Sequence, residues 1–272
     1  MPKLPPEHKF WDLSDYARPG AIWLVKRLLP TSIGAITLTW LFTAVGLVSV
    51  LLIFNRYALT LAGSLLILKS LLDAADGEMA RARNRPSHTG RYLDSINDLI
   101  LNGLVLFAIG IPLMIPVWKI ALTWISFQLQ GTIFNYFYVI KRHQASGDKT
   151  SRISEVTSPV PYPQENPRVL FMLHKLYLIF YGWQDWIIDT MFKGNQITNS
   201  RSRPIPNWIM SLISIFGLGF QLLIIAILLC TNTLELTFPI FLIVYNIIAA
   251  LVVLSVLILS LIHISEPTRP LY

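Results

Sequence analysis

Polar residues thin out along six stretches of the chain, at about 33–54, 57–75, 99–117, 120–140, 208–230 and 238–262. Each approaches the roughly 20 apolar residues that a helix needs to cross the hydrocarbon core of a bilayer. None alternates polar and apolar positions as a barrel strand would, and in lipid only helices or closed barrels satisfy their backbone groups. The pattern predicts an all-α, polytopic membrane protein: a bundle of six transmembrane helices forming one domain over residues 1–262.

The segments between these stretches refine the picture. Residues 11–29 mix Trp11, Tyr16, Ile22, Trp23 and Leu28 with Asp12, Asp15, Lys26 and Arg27, the pattern of an interfacial helix lying on the membrane, with Pro19 and Gly20 expected to bend or interrupt it. Residues 145–167 are rich in Ser and charge, and Pro159, Pro161, Pro163 and Pro167 exclude a regular helix, so a loop is expected. Residues 169–192 are apolar but contain His174, Lys175, Gln184, Asp185 and Asp189. This reads as a second amphipathic surface helix, with Trp183 and Trp186 at headgroup depth. Trp23, Trp118 and Trp208 fall near span ends, where they serve as interface anchors.

Lys and Arg are distributed on one side. With the N-terminus inside, the inner segments hold Lys3, Lys9, Arg18, Lys26 and Arg27, then Arg81, Arg83, Arg85 and Arg91, then the basic stretch 141–203; the outer loops hold only Arg56 and Lys119. The positive-inside rule then places both termini in the cytoplasm.

Composition agrees. Of 272 residues, 54% are hydrophobic and 14% charged, too apolar for an ordinary soluble domain. The net charge of +7 fits cytoplasmic loops against anionic lipid, and no nucleic-acid partner is expected. A single cysteine, Cys230, excludes a disulfide framework and is expected to pack in an apolar run. The first thirty residues show no cleavable signal peptide, so the first span is expected to direct insertion.

The chemistry concentrates in Asp73-Ala-Ala-Asp76-Gly77-Glu-Met-Ala80-Arg81, followed after eight residues by Gly90-Arg-Tyr-Leu-Asp94-Ser-Ile-Asn-Asp98. Helical spacing puts Asp73, Asp76, Gly77, Ala80 and Arg81 along one face, and Gly90, Asp94 and Asp98 along another. One helix should end near Arg83 and the next begin near Thr89, so the turn through Asn84, Pro86 and Ser87 brings the two faces together. Four ionised carboxylates so placed repel one another unless cations neutralise them, and all-oxygen ligation suits Mg²⁺, Mn²⁺ or Ca²⁺ rather than zinc. Small residues leave room for a ligand beside the backbone, and Arg81 offers a donor fork to phosphate. A metal-bridged pyrophosphate and phosphoryl-type transfer follow.

The pattern D-x-x-D-G-x-x-A-R-x8-G-x-x-x-D-x-x-x-D resembles the signature of the CDP-alcohol phosphotransferase (CDP-alcohol phosphatidyltransferase) family, with every signature position filled. The resemblance implies two divalent metals, Mg²⁺ or Mn²⁺, held by Asp73, Asp76, Asp94 and Asp98. It implies Asp94 and Asp98 as catalytic residues, with Asp98 the general base on the acceptor hydroxyl. Gly77, Ala80, Arg81 and Gly90 would contact the cytidine diphosphate part, with CMP as leaving group. It further implies a homodimer in the bacterial cytoplasmic membrane, membrane lipid as partner, and an active site facing the cytoplasm.

The signature leaves the substrates open. CDP-diacylglycerol could meet glycerol phosphate, serine or an inositol compound, or CDP-choline or CDP-ethanolamine could meet diacylglycerol. Competing readings of buried aspartates are a Mg²⁺-dependent membrane prenyltransferase, which uses two separated Asp-rich segments where this chain packs its aspartates into one stretch, Asp73–Asp98, and a divalent-cation transporter, which gives no reason for the Gly77, Ala80, Arg81 and Gly90 spacing.

Around the motif, Lys69 can pair with Asp73 at i,i+4, point toward phosphate or snorkel. Gln128, Gln130, Asn135, Asn97 and Asn102 can line an acceptor pocket or bond between helices. Arg83, Arg85, Arg91, Lys141, Arg142 and Arg152 can receive an anionic acceptor or mark the inner face. From Leu259 the chain reads Leu-Ser-Leu-Ile-His-Ile-Ser-Glu-Pro-Thr-Arg, a string that resembles a translated transposase sequencing adapter. Residues 259–272 are therefore expected to be a non-native tail, with His263 and Glu266 given no role.

Overall fold

The computed structural model describes residues 4–145, 155, 157–192 and 205–265, with side chains as far as residue 255. The fold is helical with no strand among the described residues, matching the all-α expectation. A helix α1 (Arg18–Leu28) precedes α2 (Ala35–Phe54), α3 (Leu59–Ala82), α4 (His88–Gly110) and α5 (Val117–Gln144). Then come α6 (Pro167–Tyr177), a π-helical turn Leu178–Gly182, α7 (Trp183–Phe192), α8 (Asn207–Ile213), α9 (Leu218–Cys230), the short α10 (Thr237–Pro239), a second π-helical turn Ile240–Val244 and α11 (Tyr245–Ser265).

Three stretches among the described residues are long and apolar enough to cross a membrane by composition: Ala35–Phe54, His88–Gly110 and Leu234–Ser255. The pair Asn207–Phe216 and Leu218–Cys230 makes a fourth, bent by 49°. The expected six crossings are thus met in part. Helices α3 and α5 are long enough, but α3 carries Lys69, Asp73, Asp76, Glu78 and Arg81, and α5 carries Lys119, Lys141 and Arg142 among several amides. Exposed Leu47, Leu51, Ile227, Ile247 and Leu251 line the outside of the bundle, as expected of an integral membrane protein.

The helices run back and forth between two ends. At the end bearing the motif turn, Arg83 Nη2 donates to the Thr31 carbonyl at 2.6 Å, and Lys141 Nζ donates to the Ile205 carbonyl at 2.6 Å and to Asn207 Oδ1 at 2.8 Å. At the other end α3 lies so close to α9 that a Cβ on Gly63 would come 2.8 Å from the Ala226 carbonyl. Lipid offers helices no hydrophobic gain on association, so close approach of this kind and interhelical hydrogen bonds hold the bundle. Ser49 Oγ donating to the Ala62 carbonyl at 2.8 Å is one such bond between α2 and α3.

Some boundaries differ from the sequence reading, for identifiable reasons. Pro19 does not break the first helix: it occupies the first turn of α1, where its missing N–H costs nothing, and residues 13–15 form a separate 3₁₀ turn. Helix α4 begins eleven residues before the apolar run at 99, because its first three turns face the interior of the bundle, where polar residues find partners. Cys230 is exposed at the end of α9 rather than packed away. The 169–192 segment is helical but bent by the π turn at Leu178–Gly182, with Trp183 and Trp186 exposed as expected of an amphipathic helix. The last helix continues to Ser265, while residues 266–272 of the expected tail lie outside the described residues.

The break between α8 and α9 has a definite use. The 3₁₀ turn Leu13–Asp15 presses into it: Leu13 N–H donates to Ser214 Oγ at 3.0 Å, and a Cβ on Gly219 would overlap the Ser14 carbonyl. Gly217 is equally tight against the Ser14 side chain. The two glycines therefore admit the N-terminal turn into the helical bundle.

Candidate active site

The signature occupies the end of α3 and the start of α4, as the spacing predicts. Helix α3 closes with Asn84 in the left-handed region, φ 51°, while Arg85 N–H reaches back to the Ala80 carbonyl at 3.0 Å. This is a Schellman closure, and asparagine is one of the few side chains that tolerates that conformation. Helix α4 opens with Ser87 as N-cap, its Oγ accepting from Gly90 N–H at 2.8 Å. Ser87 Oγ also donates to Glu165 Oε1 at 2.9 Å, and the same oxygen takes Thr89 N–H at 2.6 Å, while Glu165 Oε2 takes Tyr162 N–H at 2.9 Å. The segment before α6 is thereby strapped over the start of α4. His88 stacks on Tyr162 with ring centroids 4.8 Å apart.

Between the two helices, ligand atoms of Asp73, Asp76 and Asp94 lie within 4.8 Å of one another. Asp94 Oδ1 is buried without a hydrogen-bond partner, a costly state for a carboxylate oxygen. Convergent carboxylates with an unpartnered buried oxygen are what a hard divalent cation would satisfy, so these residues fit the expected metal. Thr39 on α2 donates to Asp76 Oδ2 at 2.7 Å and fixes its orientation.

Asp98 stands outside this trio. Lys69, 1% exposed, places its ammonium between the two helices, donating to Asp73 Oδ2 at 3.0 Å and pairing with Asp98 Oδ1. Of the roles open to Lys69 in the sequence, the structure shows ion pairing, and extends it to a second partner. Phe42 lies beneath the ammonium, its ring centroid 4.7 Å away.

Two cavities meet at the cluster. The first, of about 460 Å³, is lined by Asp76, Gly77, Ala80, Arg81 and Gly90, together with Ala35, Ile36 and Thr39 of α2 and Tyr162 of the strap. The second, of about 400 Å³, is lined by Asp98, Ser70, Asn102, Gln128, Asn135 and Gln221, and reaches Asp12 and Asp15 of the N-terminal turn. Asp73, Ala74, Arg91, Asp94 and Arg142 border both. The signature residues are thus divided between two chambers with metal-binding geometry at the junction.

The polar candidates separate in the same way. Gln128, Asn135 and Asn102 line the second cavity, whereas Gln130 bonds to the Phe241 carbonyl and Asn246, and Asn97 to Thr43. Arg91 and Arg142 border the cavities, while Lys141 and Arg83 are spent on backbone carbonyls. Arg152 lies outside the described residues. Glu78 receives Arg81 at 2.8 Å and Arg18 of α1 at 3.2 Å, steadying the Arg81 guanidinium beside the first cavity. Thr39, Tyr162, Glu165 and Gln221 were not singled out in the sequence. Their roles arise from contacts between distant helices, and no local spacing signals them.

Comparison with known proteins agrees with this geometry. Residues 34–191 match the family model described as CDP-alcohol phosphatidyltransferase. A protein of Thermococcus kodakarensis named bifunctional IPC transferase and DIPP synthase is 39% identical over 80 residues, which are 29% of this chain and 17% of that protein. One of the same name from Aquifex aeolicus is 31% identical over 111 residues, 41% of this chain and 24% of that protein. The chain therefore spans about a fifth of the length of these relatives. With the family match covering more than half of the chain and the full signature folded around one acidic cluster, the protein belongs to the CDP-alcohol phosphatidyltransferase family.

Proposed function

We propose that the protein is a phospholipid-synthesising transferase of the bacterial cytoplasmic membrane. It moves a phospho-alcohol group from a CDP-linked donor to a hydroxyl acceptor and releases CMP. The observation that carries this reading is the meeting of two cavities at Asp73 and Asp94. A transferase must bring two substrates to one reacting centre, whereas a cation transporter needs one path and gives no role to Gly77, Ala80, Arg81 and Gly90.

In this reading the CDP part of the donor lies in the first cavity, against Gly77, Ala80 and Gly90, with the Arg81 guanidinium on phosphate. Asp73, Asp76, Asp94 and Asp98 would hold two divalent cations. When bound, these supply charge neutralisation for the pyrophosphate and the departing nucleotide. The acceptor hydroxyl sits in the second cavity beside Asp98, whose carboxylate takes its proton. The freed oxygen attacks the phosphorus that carries the alcohol. A new phosphate ester bond forms, the pyrophosphate P–O bond breaks, and CMP leaves.

The six apolar passes of the bundle would each cross the membrane. Arg81, Arg83, Arg85, Arg91, Lys141 and Arg142 gather at the motif end, which supports a site facing the cytoplasm.

The test is CMP release by purified protein with Mg²⁺ or Mn²⁺ and paired donors and acceptors. Asp98→Asn should lower turnover by roughly 10²- to 10⁴-fold, and Asp94→Asn should abolish metal-dependent release. Full activity in either variant would remove the basis for the reading.

A further inference from the structure

The two cavities differ in chemistry. Ala35, Ile36 and Ala74 give the first an apolar wall, and Ile36 is at the same time exposed on the outside of α2, beside exposed Trp40. An apolar chain attached to the nucleotide could leave this cavity directly into lipid. The second cavity is the more polar one. Amides, hydroxyls and carboxylates dominate its wall, with Phe127, Phe134 and Leu218 as the apolar minority.

Two buried amides in that wall have a group left over. Gln221, 1% exposed, donates its Nε2 to Gln130 Oε1 at 3.1 Å and leaves Oε1 without a partner. Gln128, 9% exposed, leaves Nε2 without a partner. One is an acceptor and the other a donor, and buried polar groups left unpaired are costly. A hydroxyl group both donates and accepts, so a ligand carrying several hydroxyls satisfies both amides. An acyl chain would satisfy neither and would bury methylenes against Asp12, Asp15 and Asp185, which also face this cavity.

We infer that the lipid enters on the nucleotide side, and that the second cavity receives a small, water-soluble, hydroxyl-rich acceptor read by Gln128 and Gln221. This rests on the transferase reading above and assigns a substrate class within it. Arg91, with Nε and Nη2 buried and unpartnered at the border of both cavities, leaves a place for a phosphate on either substrate. Free polyols and polyol monophosphates share the chemistry that the glutamines recognise.

The experiment measures CMP release by the full chain in detergent with Mg²⁺. CDP-diacylglycerol is paired with glycerol, glycerol 3-phosphate, inositol, inositol monophosphate or serine, and CDP-choline is paired with diacylglycerol. Turnover is expected with a polyol or its monophosphate, and the arms separate the two. Gln128→Leu and Gln221→Leu should each raise the acceptor KM by about tenfold, the scale of one hydrogen bond in a buried site, and leave the donor KM unchanged. Gln128 Nε2 has no hydrogen bond to lose, so a raised acceptor KM in Gln128→Leu at an unchanged melting temperature is separate from any effect on folding. Turnover only with diacylglycerol or serine, or an unchanged acceptor KM in Gln128→Leu, overturns the assignment while the transferase reading stands. CMP release from no pair overturns both.

Discussion

Thr39 donates a 2.7 Å hydrogen bond to Asp76, so a helix that contributes no signature residue orients one that belongs to the acidic cluster. Partners of this kind fix the direction in which a carboxylate presents its free oxygen, and removing one typically costs roughly 10- to 100-fold in metal affinity or activity. Thr39→Val keeps the shape and deletes the donor. Metal-dependent CMP release should then require a correspondingly higher Mg²⁺ concentration, with maximal turnover less affected. An unaltered Mg²⁺ dependence would reduce Thr39 to a packing residue.

Lys69 makes a different prediction. Its buried ammonium pairs with both Asp73 and Asp98 and offsets part of their charge. Removing one partner of a buried ion pair leaves an uncompensated charge and costs about 3–5 kcal/mol. Lys69→Met should lower the melting temperature sharply in EDTA, and added Mg²⁺ should recover part of the loss by supplying charge to the same carboxylates. An equal loss in both conditions would show that the ammonium and the cation act on separate parts of the site.

The strap over α4 should respond to acid. Burial pushes the Glu165 carboxyl up, but the Thr89 and Tyr162 N–H groups and the Ser87 hydroxyl outweigh this and hold it below the usual glutamate value. A carboxyl depressed in the folded state adds stability above its unfolded pKa and loses it as pH falls through the folded value. Protection of the Thr89 and Tyr162 amides from hydrogen exchange should therefore weaken toward acid pH in the wild type. Glu165→Gln should show weak protection at all pH values, and retention of the wild-type profile would mean that another group holds the strap.

At Gly219, an added methyl has nowhere to go. Gly219→Ala would collide with the Ser14 backbone, and overpacking of this kind costs about 1–3 kcal/mol. The variant should melt earlier and show a higher acceptor KM, because the displaced turn carries Asp12 and Asp15 at the second cavity. Thermal melting and steady-state kinetics together check this. A shift in donor KM alone would contradict the placement of the turn.

How much of this was readable from sequence depends on whether the information is local. The α3–turn–α4 hairpin was, since helical spacing, a left-handed asparagine and a serine cap are properties of neighbouring residues. The trio of Asp73, Asp76 and Asp94 followed from the same spacing. Helical periodicity put Asp94 and Asp98 on one face, but it could not tell that Asp98 borders only the second cavity. That division depends on Lys69 and on α5 and α9 standing behind it. The apolar run at 99 concealed the start of α4, because hydropathy registers what faces lipid and the first turns of α4 face other helices. Thr39, Gln221 and the glycine pair at 217 and 219 act across separations of dozens to about two hundred residues, as in the Leu13–Ser214 bond, whose partners are 201 positions apart. No pattern within one segment encodes such contacts.

The seating of Ser14 against Gly217 and Gly219 also sets an order of assembly. Ser14 is synthesised about two hundred residues before the glycines it docks against. Helices α3 and α4 can gather their carboxylates long before that, so metal affinity can precede the ability to position an acceptor. The nascent chain would hold the cations first and gain its second substrate chamber only when α9 inserts and the Leu13–Asp15 turn closes onto it.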